Sequence, residues 1–311
     1  MSKESYIAMA MADPGRALQR FLQLVLYPFL RVTLVAPLAS GARFVREAVF
    51  IALRLSKKLK WFIVEGRSET YVVNCADTVI SRDLYATGEF DFDKFETAMR
   101  LLARERGGAL PEIMFDVGAN VGSICIPAVA RGHFRRAVAI EPNAMSCRLL
   151  RANIALNGLH AAIDVHETAV GEHVDEALAL DTSSANFGDH SIARGNGAAG
   201  VSIRSTTLDA IAGGLEPGRV FLWMDIQGYE GYALAGAKRL IGEGLPMVIE
   251  FWPRALHASG AHPKLIEALR EYPAFYDLRN PDARRPIAEL AELEAELARD
   301  RVMFTDILLL R

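Results

Sequence analysis

From residue 112 onward, short β-rich runs alternate with helical segments, and this alternation restricts the possible folds more than any other feature of the chain. Residues 112–117 predict a strand, a helix follows from about Ser123, and residues 136–140 predict the next strand. Such alternation is typical of a parallel sheet that carries helices on both faces. We therefore predict an α/β fold with a doubly wound, mostly parallel sheet.

The alternation continues to the C-terminus, with one interruption. The further predicted elements are a helix at 146–156, strands at 163–167 and 220–226, a helix at 230–241, a strand at 247–251, a helix at 263–270, a strand at 274–278, a helix at 287–299 and a strand at 302–310. The pattern pauses between Gly171 and Arg204, where residues 177–180 and 200–204 predict an inserted hairpin around a Gly-rich stretch.

Residues 61–108 predict a smaller unit that packs on the sheet domain. Residues 61–73 predict a hairpin with its turn at 65–67, residues 77–89 a loop, and residues 92–106 a helix. We accordingly expect three parts: an arm at 1–60, this hairpin and helix at 61–108, and the sheet domain at 109–311.

The first 60 residues are a basic, apolar arm. They hold ten Lys or Arg against three acids, a net charge of +7, and the remaining residues total −10 because the whole chain carries −3. Residues 42–60 predict a helix that lies on an anionic membrane surface or packs on the core or a second subunit. Arg31 and prolines interrupt the apolar stretch 21–39, which disfavours a spanning helix. Small residues at 39–42 leave a secretory cleavage site as a further alternative.

Composition excludes several classes of protein. The chain is 51% hydrophobic and 23% charged, which argues against intrinsic disorder. Its three cysteines, Cys75, Cys125 and Cys147, are too widely spaced for a disulfide framework or a cysteine zinc site, which fits a cytoplasmic protein. An acidic body argues against a nucleic-acid partner. The six histidines other than His190 show no metal-ligand spacing, so we expect no metal site, and the alternative is a magnesium ion held by Asp225 with a second acid.

An acid and a glycine-spaced turn follow the first strand of the alternation. The apolar strand reaches Asp116 and breaks into a turn before the next helix. Glycines at such a turn allow the backbone to approach a ligand, and the helix presents free N–H groups. The alternative is a simple strand-to-helix turn. We predict that this segment binds a ligand through Asp116, Gly118, Ala119, Asn120 and Gly122.

The next strand also ends in an acid, Glu141, which Pro142 follows. A carboxylate at the tip of the adjacent parallel strand can accept both hydroxyls of a ribose, so we predict a nucleoside site that includes both residues. Alternatively, Glu141 only faces the N-terminus of the following helix. Asn120 and Ser123 stand where a dinucleotide fold has its second and third glycines, which argues against NAD.

An ordered set of motifs in the chain resembles the FkbM-type methyltransferases. The set comprises DVGANVG (116–122), EPN (141–143), NFGDH (186–190), TLD (207–209), DIQGYE (225–230) and IE (249–250). The resemblance runs from about residue 77 to the C-terminus and leaves the basic arm outside. It implies a class I methyltransferase fold, S-adenosylmethionine as cofactor, and methyl transfer, usually to a hydroxyl oxygen on a sugar or natural-product scaffold.

Methyl transfer to an alcohol is an in-line displacement that also needs a base for the hydroxyl proton. We predict Asp225, His190 and Glu250 as catalytic residues, because they lie at strand ends or on the inserted segment. Asp225 is the first choice, whereas Glu250 could pair inside the core and His190 could be a surface residue. Many family members carry lysine and glutamate where this chain has Trp223 and Gln227.

The leading interpretation is an O-methyltransferase that acts on a small-molecule or glycan hydroxyl acceptor. The alternatives are an N-methyltransferase, a nucleotide-dependent oxidoreductase, and a non-catalytic protein that binds the cofactor or recruits partners to a membrane. We expect a cytoplasmic protein, with peripheral membrane contact or self-association as the two roles open to the arm.

Overall fold

The computed structural model describes residues 43–56, 60–182, 190–193 and 200–311. Contacts divide the chain into two compact units, Met1–Lys58 and Leu59–Arg311. In the first unit the structure describes one helix, α1 (Arg43–Ser56), and residues 1–42 and 57–59 of the predicted arm lie outside the described residues. Among the described helices, none combines the length and the apolar character needed to span a bilayer.

The second unit begins with an antiparallel hairpin and two helices. These elements are β1 (Trp61–Glu65), β2 (Thr70–Asn74), α2 (Ile80–Thr87) and α3 (Phe92–Glu105). The side-chain oxygens of Asn153 and Asn157 accept hydrogen bonds from the backbone N–H groups of Val72 and Thr70, at 2.6 and 2.9 Å. The hairpin is thereby attached to the helix that carries both asparagines.

The loop predicted at residues 77–89 is wrong, because α2 occupies most of it. Asp77 explains the difference. Its carboxylate accepts hydrogen bonds from the backbone N–H groups of Val79 and Ser81, at 3.0 and 2.9 Å, and from the Ser81 hydroxyl, at 2.8 Å. A polar stretch that resembles a loop in the sequence is therefore the capped start of a helix.

The remainder of the unit alternates strands and helices, as the sequence predicts. In chain order the elements are β3 (Ile113–Val117), α4 (Cys125–Ala130), β4 (Arg136–Ile140), α5 (Ala144–Leu156), β5 (Ile163–His166), β6 (Ala169–Val170), β7 (Ala177–Asp181), β8 (Ser191–Ala193), β9 (Val201–Thr206), α6 (Leu208–Ala212), β10 (Val220–Met224), α7 (Glu230–Ala235), α8 (Lys238–Gly242), β11 (Met247–Phe251), α9 (Pro253–Ser259), α10 (His262–Leu269), β12 (Ala274–Asp277), β13 (Arg284–Pro286), α11 (Leu290–Asp300) and β14 (Thr305–Leu310).

Eight of these strands form the central sheet, in the order β13-β12-β14-β11-β10-β3-β4-β5. The five strands from β11 to β5 are parallel, whereas β14 runs antiparallel to both β11 and β12. The predicted doubly wound, mostly parallel sheet is confirmed. The strand order reverses between β3 and β10, and folds of this kind bind ligands outside the carboxyl ends of the strands at such a point.

Apolar layers cover both faces of this sheet. Alternate residues of a strand pack into different clusters: Met114 and Phe221 face one layer, while Phe115 and Leu222 face the other. Every residue of β3, β10, β11 and β14 is buried. Burial on both faces is the reason that these strands read as nearly continuous apolar runs in the sequence.

The inserted hairpin is part of a larger sheet than predicted. Strands β7 and β9 pair antiparallel as expected, and β8 and β6 extend the pair to a four-stranded sheet in the order β6-β9-β7-β8. Residues 183–189 and 194–199 of this segment lie outside the described residues.

The single helix predicted at residues 230–241 is wrong, because the structure has two short helices, α7 and α8, in its place. A Cβ at Gly236 would overlap the carbonyl oxygen of Gly171, so the chain passes another backbone closely at this glycine. The Asp209 carboxylate accepts hydrogen bonds from the backbone N–H groups of Arg239 and Leu240, at 2.8 and 3.1 Å, and so caps α8. The break depends on tertiary contacts that the local sequence does not contain.

Gly118 allows the end of β3 to lie directly against the end of β10. Its φ is +84°, and a Cβ at this position would overlap the carbonyl oxygen of Asp225. The backbone N–H of Asp225 in turn donates a hydrogen bond to the carbonyl of Val117, at 3.0 Å. A side chain at position 118 would therefore force two core strands apart.

We expect Gly118→Ala to lower the free energy of unfolding by at least about 2 kcal/mol more than Gly132→Ala, because overpacking adds to backbone strain. Gly132 is the matched control: its φ is +77°, but an added Cβ would have no heavy atom within 4 Å. The control should lose only about 1–2 kcal/mol from its left-handed backbone. Urea denaturation measures both, and equal losses would contradict the close approach.

Candidate active site

A cleft opens at the carboxyl ends of β3, β4 and β10, where the strand order reverses. It contains about 790 Å³ of empty space, part of which is open to solvent. Eight of the ten predicted site residues line it, namely Asp116, Gly118, Ala119, Asn120, Glu141, Pro142, His190 and Asp225. The cleft lies at the point of a doubly wound sheet where such folds bind their ligands.

Glu141 holds the turn after β3 beside the end of β4. Its Oε2 accepts a hydrogen bond from the backbone N–H of Asn120, at 3.0 Å, and its Oε1 accepts one from that of Asn143, at 2.8 Å. Burial raises the pKa of this carboxyl to about 7. An ionised carboxylate has about four acceptor sites, so two remain for the hydroxyls of a ligand.

Asn120 provides an unsatisfied acceptor in the cleft. Its φ is +49°, in the left-handed region that asparagine tolerates better than most residues. The side-chain Oδ1 is buried and has no hydrogen-bond partner. Buried acceptors are nearly always paired, so this atom marks a position where a ligand with a donor group fits.

Asp116 lies at the deep end of the cleft. Its Oδ2 accepts a hydrogen bond from the backbone N–H of Cys125, at 3.1 Å, and thus ties β3 to the start of α4. Burial raises the pKa of the Asp116 carboxyl to about 6. Because the helix bond occupies one oxygen, the other oxygen is the one available for a cationic group.

Gly122 does not line the cleft, unlike the rest of the turn. Its φ is +88°, and a Cβ there would lie 2.6 Å from a side-chain carbon of Ile126 and 2.8 Å from one of Leu150. The glycine therefore lets the turn pack on α4 and α5. The structure gives it a place in the shape of the turn and not on the wall of the cleft.

Three buried or half-buried carboxyls meet beside the cleft: Asp225 after β10, Glu250 on β11 and Asp306 on β14. Burial and the neighbouring Asp306 raise the pKa of Asp225 to about 7, although a hydrogen bond from Gln227 opposes the shift. Burial and the charges of Asp225 and Glu230 raise the pKa of Glu250 well above its usual range. This group of carboxyls therefore retains protons near neutral pH.

Gln227 connects two of these carboxyls. Its Nε2 donates a hydrogen bond to Oδ1 of Asp225, at 2.7 Å, and lies 3.4 Å from Oε2 of Glu250. A glutamate at this position, as in many family members, would add a further negative charge to the group. The neutral amide instead supplies donors to it.

Lys94 of α3 brings a positive charge to the same group. Its Nζ lies 3.0 Å from Oδ2 of Asp306 and 3.1 Å from Oδ2 of Asp91. Burial disfavours the charge, but these two carboxylates raise the pKa of Lys94 above its usual range. Lys94, Asp91 and Asp306 were not predicted as site residues from the sequence. The one signal available there is Asp306, an acid within the apolar C-terminal strand.

Glu230 supports the loop that follows Asp225. It is fully buried, and its Oε1 accepts hydrogen bonds from the backbone N–H groups of Ile226 and Gly228, at 3.0 and 3.3 Å. Its Oε2 is buried without a partner. Burial raises the pKa of Glu230 to about 8. The side chain holds the loop and does not line the cleft.

His190 reaches the cleft from the inserted sheet. Its Nδ1 lies 3.2 Å from Nδ2 of Asn143, the residue that caps α5. His190 lines the cleft, as do Pro142 and Leu180. The four residues that precede it in the NFGDH motif lie outside the described residues.

The sheet order, the acid-tipped strands and the cleft at the switch point are those of a class I methyltransferase fold. The sequence model of the methyltransferase FkbM domain matches residues 116–275, which is more than half of the chain. The chain therefore belongs to the FkbM family of methyltransferases. Its cofactor is S-adenosylmethionine, as the family resemblance implies.

Several solved structures share part of this architecture at low similarity. A putative transferase from Pyrococcus horikoshii has 10% identity and a TM-score of 0.34, over 81% of this chain and 71% of that one. The Methanocaldococcus jannaschii tRNA m1G37 methyltransferase has 15% identity and a TM-score of 0.39, over 81% of this chain and 54% of that one. The precorrin-6y C5,15-methyltransferase of Geobacter metallireducens has 14% identity and a TM-score of 0.37, over 71% of this chain and 88% of that one. No curated protein matches the sequence.

We expect Glu141→Ala to weaken the binding of S-adenosylhomocysteine by about 1.5–3 kcal/mol, because hydrogen bonds to a charged group are lost. Glu167→Ala is the matched control, since Glu167 is exposed and follows the neighbouring strand β5. Isothermal titration calorimetry measures both variants, and thermal denaturation checks their folding. Unchanged affinity in a folded Glu141→Ala protein would place the ribose elsewhere.

Glu230→Gln should change the pH dependence of stability. The pKa of Glu230 in the folded protein, about 8, lies above the usual glutamate value of 4.5, so the folded protein loses stability as pH rises between these values. Relative to the wild type, the Gln variant should gain up to about 1.4 kcal/mol per pH unit across this window and no more above it. Urea denaturation from pH 5 to 9 tests this, and parallel curves would show that Glu230 is ionised throughout.

Proposed function

We propose that the chain is an O-methyltransferase whose acceptor is a hydroxyl of a sugar, a glycan or a natural-product scaffold. The carrying observation is the carboxyl of Asp225, which lines the cleft and has its pKa raised to about 7. A base with a pKa near the working pH is well suited to take the proton that a hydroxyl loses. When bound, S-adenosylmethionine supplies an electrophilic methyl group on a sulfonium centre.

The turn after β3 and the tip of β4 form the proposed cofactor site. Glu141 has acceptor capacity for two ribose hydroxyls beyond its bonds to Asn120 and Asn143. The free oxygen of Asp116 is assigned to the ammonium of the methionine moiety. The other members are the unpaired Oδ1 of Asn120, the backbone of Gly118 and Ala119, Pro142 at the strand tip, and Gly122, which shapes the turn.

The group of carboxyls formed by Asp225, Glu250 and Asp306 provides the proposed proton acceptor. Asp225 Oδ1 already takes a hydrogen bond from Gln227, which leaves Oδ2 to accept the proton of the acceptor hydroxyl. Glu250 hydrogen-bonds to Asp225 and acts as a positioning residue behind it. His190 also lines the cleft and is proposed to contact the acceptor.

Residues 1–60 are proposed as an arm for membrane contact or self-association. In the described part of the arm, α1 carries Arg43, Arg46 and Arg54, and only Glu47 balances them. A basic helix of this kind binds anionic surfaces. Residues 61–108 are proposed as a subdomain of the methyltransferase domain at 109–311, through the β2 bonds to Asn153 and Asn157.

Incubation with radiolabelled methyl donor and a library of hydroxyl compounds, amines and RNA tests the proposal. We expect label on a hydroxyl compound. Label only on amines or on RNA would replace the proposed acceptor class, while the cofactor assignment would stand.

Asp225→Asn should bind S-adenosylhomocysteine nearly as the wild type does and lower single-turnover methyl transfer by roughly a hundredfold or more, because a general base is lost. Wild-type turnover should rise with pH up to about 7 and then level, since the ionised carboxyl is the active form. Asp93→Asn, at an exposed acid on α3, is the matched control. A parallel loss of affinity and rate would instead make Asp225 a cofactor ligand.

A further inference from the structure

Two histidines and a glutamate from three different helices meet on the surface of the second unit, outside the cleft. Nε2 of His257 lies 2.9 Å from Oε1 of Glu294, and Nε2 of His262 lies 3.3 Å from Oε2 of the same carboxylate. The two imidazole rings stack with centroids 4.0 Å apart and an interplanar angle of 18°. One potential ligand atom from each side chain lies within 4.8 Å of the other two.

The backbone holds these three side chains in place. Leu256, Ala261 and Leu293 directly precede the three residues in sequence, and each is fully buried. Gly260, with φ of +76°, ends α9 in a left-handed turn and so brings the start of α10 back beside it. The histidines are five positions apart in the chain, and this turn, not a helical repeat, makes them neighbours.

We propose that His257, His262 and Glu294 bind a divalent transition-metal ion of the zinc class. Two imidazole nitrogens and one carboxylate oxygen are a common ligand set for Zn²⁺, with water completing the coordination. Tetrahedral ligands at zinc distances are about 3.3 Å apart, close to the two N···O separations in the cluster. Because the two ring planes are nearly parallel, an ion in the plane of one ring lies out of the plane of the other, so one ring must rotate out of the stack. His257, whose side chain is 55% exposed, has room to do so.

When both imidazoles are neutral, metal binding at this cluster neither takes up nor releases a proton. In the metal-free cluster an Nε2–H of each ring can donate to the carboxylate of Glu294, which accepts on both oxygens. When the ion binds, each Nε2 becomes a ligand and its proton moves to Nδ1, which remains free to donate.

The cluster also adjoins the support of the active-site loop. The hydroxyl of Ser259, the last residue of α9, donates a hydrogen bond to the carbonyl of Gly228, at 2.6 Å. The Tyr232 hydroxyl donates to the carbonyl of Ser259, at 3.2 Å. An ion that joins α9, α10 and α11 would therefore stiffen a turn on which the Asp225–Glu230 loop rests, and its role is structural.

Calorimetric titration of EDTA-treated, tag-free full-length protein with ZnCl₂ at pH 7.5 tests the proposal. We expect one equivalent to bind at this site. His257→Ala and Glu294→Gln should each weaken its binding by at least tenfold, because one of three protein ligands is lost. His160→Ala, at an exposed histidine outside the cluster, is the matched control and should bind as the wild type does.

Thermal denaturation separates loss of the site from loss of the fold. Zn²⁺ should raise the melting temperature of the wild type and of His160→Ala, but not that of Glu294→Gln. Circular dichroism of the metal-free proteins should be the same for all three. The proposal is overturned if the wild type binds no Zn²⁺, or if folded His257→Ala and Glu294→Gln proteins bind it with wild-type affinity.

Discussion

The close backbone contact between Gly118 and Asp225 is the constraint on which the rest of the site depends. It brings the ends of β3 and β10 together at the point where the sheet order reverses. The turn that carries Asn120 and the loop that carries Gln227 then line one cleft. A fold with these strands further apart would have the same residues without a common site.

Burial of acids is the second physical theme of the cleft. Asp116, Glu141 and Asp225 are kept from water, and their pKa values rise to about 6, 7 and 7. Desolvation of a carboxylate is unfavourable unless hydrogen bonds or cations compensate for it. The compensation is partial here. Backbone N–H groups donate hydrogen bonds to Glu141, and Lys94 pairs with Asp306, the neighbour of Asp225, and not with Asp225 itself. Perturbed carboxyls of this kind concentrate at functional sites.

The sequence predicts the strands well because burial on both sheet faces leaves uninterrupted apolar runs, and it predicts most cleft residues because parallel strands end at a common edge. Contacts between distant segments cannot be predicted from local sequence patterns. The break at Gly236 depends on Gly171, and Lys94 meets Asp306 from the other end of the domain. The cluster around Glu294 was not predicted, because Glu294 lies 32 positions beyond His262, although the gap of four residues between His257 and His262 is within the range that zinc sites use.

The position of β14 has a consequence for how the domain folds. This strand follows every other strand of the sheet in the chain, yet it lies between β11 and β12 and pairs with both. β11 and β12 must therefore leave room between them for β14. The pairing of β14 joins segments that are far apart in the sequence, and such contacts form slowly. The same strand carries Asp306, which pairs with Lys94 of α3. The charged surroundings of Asp225 are therefore complete only when the last strand of the sheet has paired.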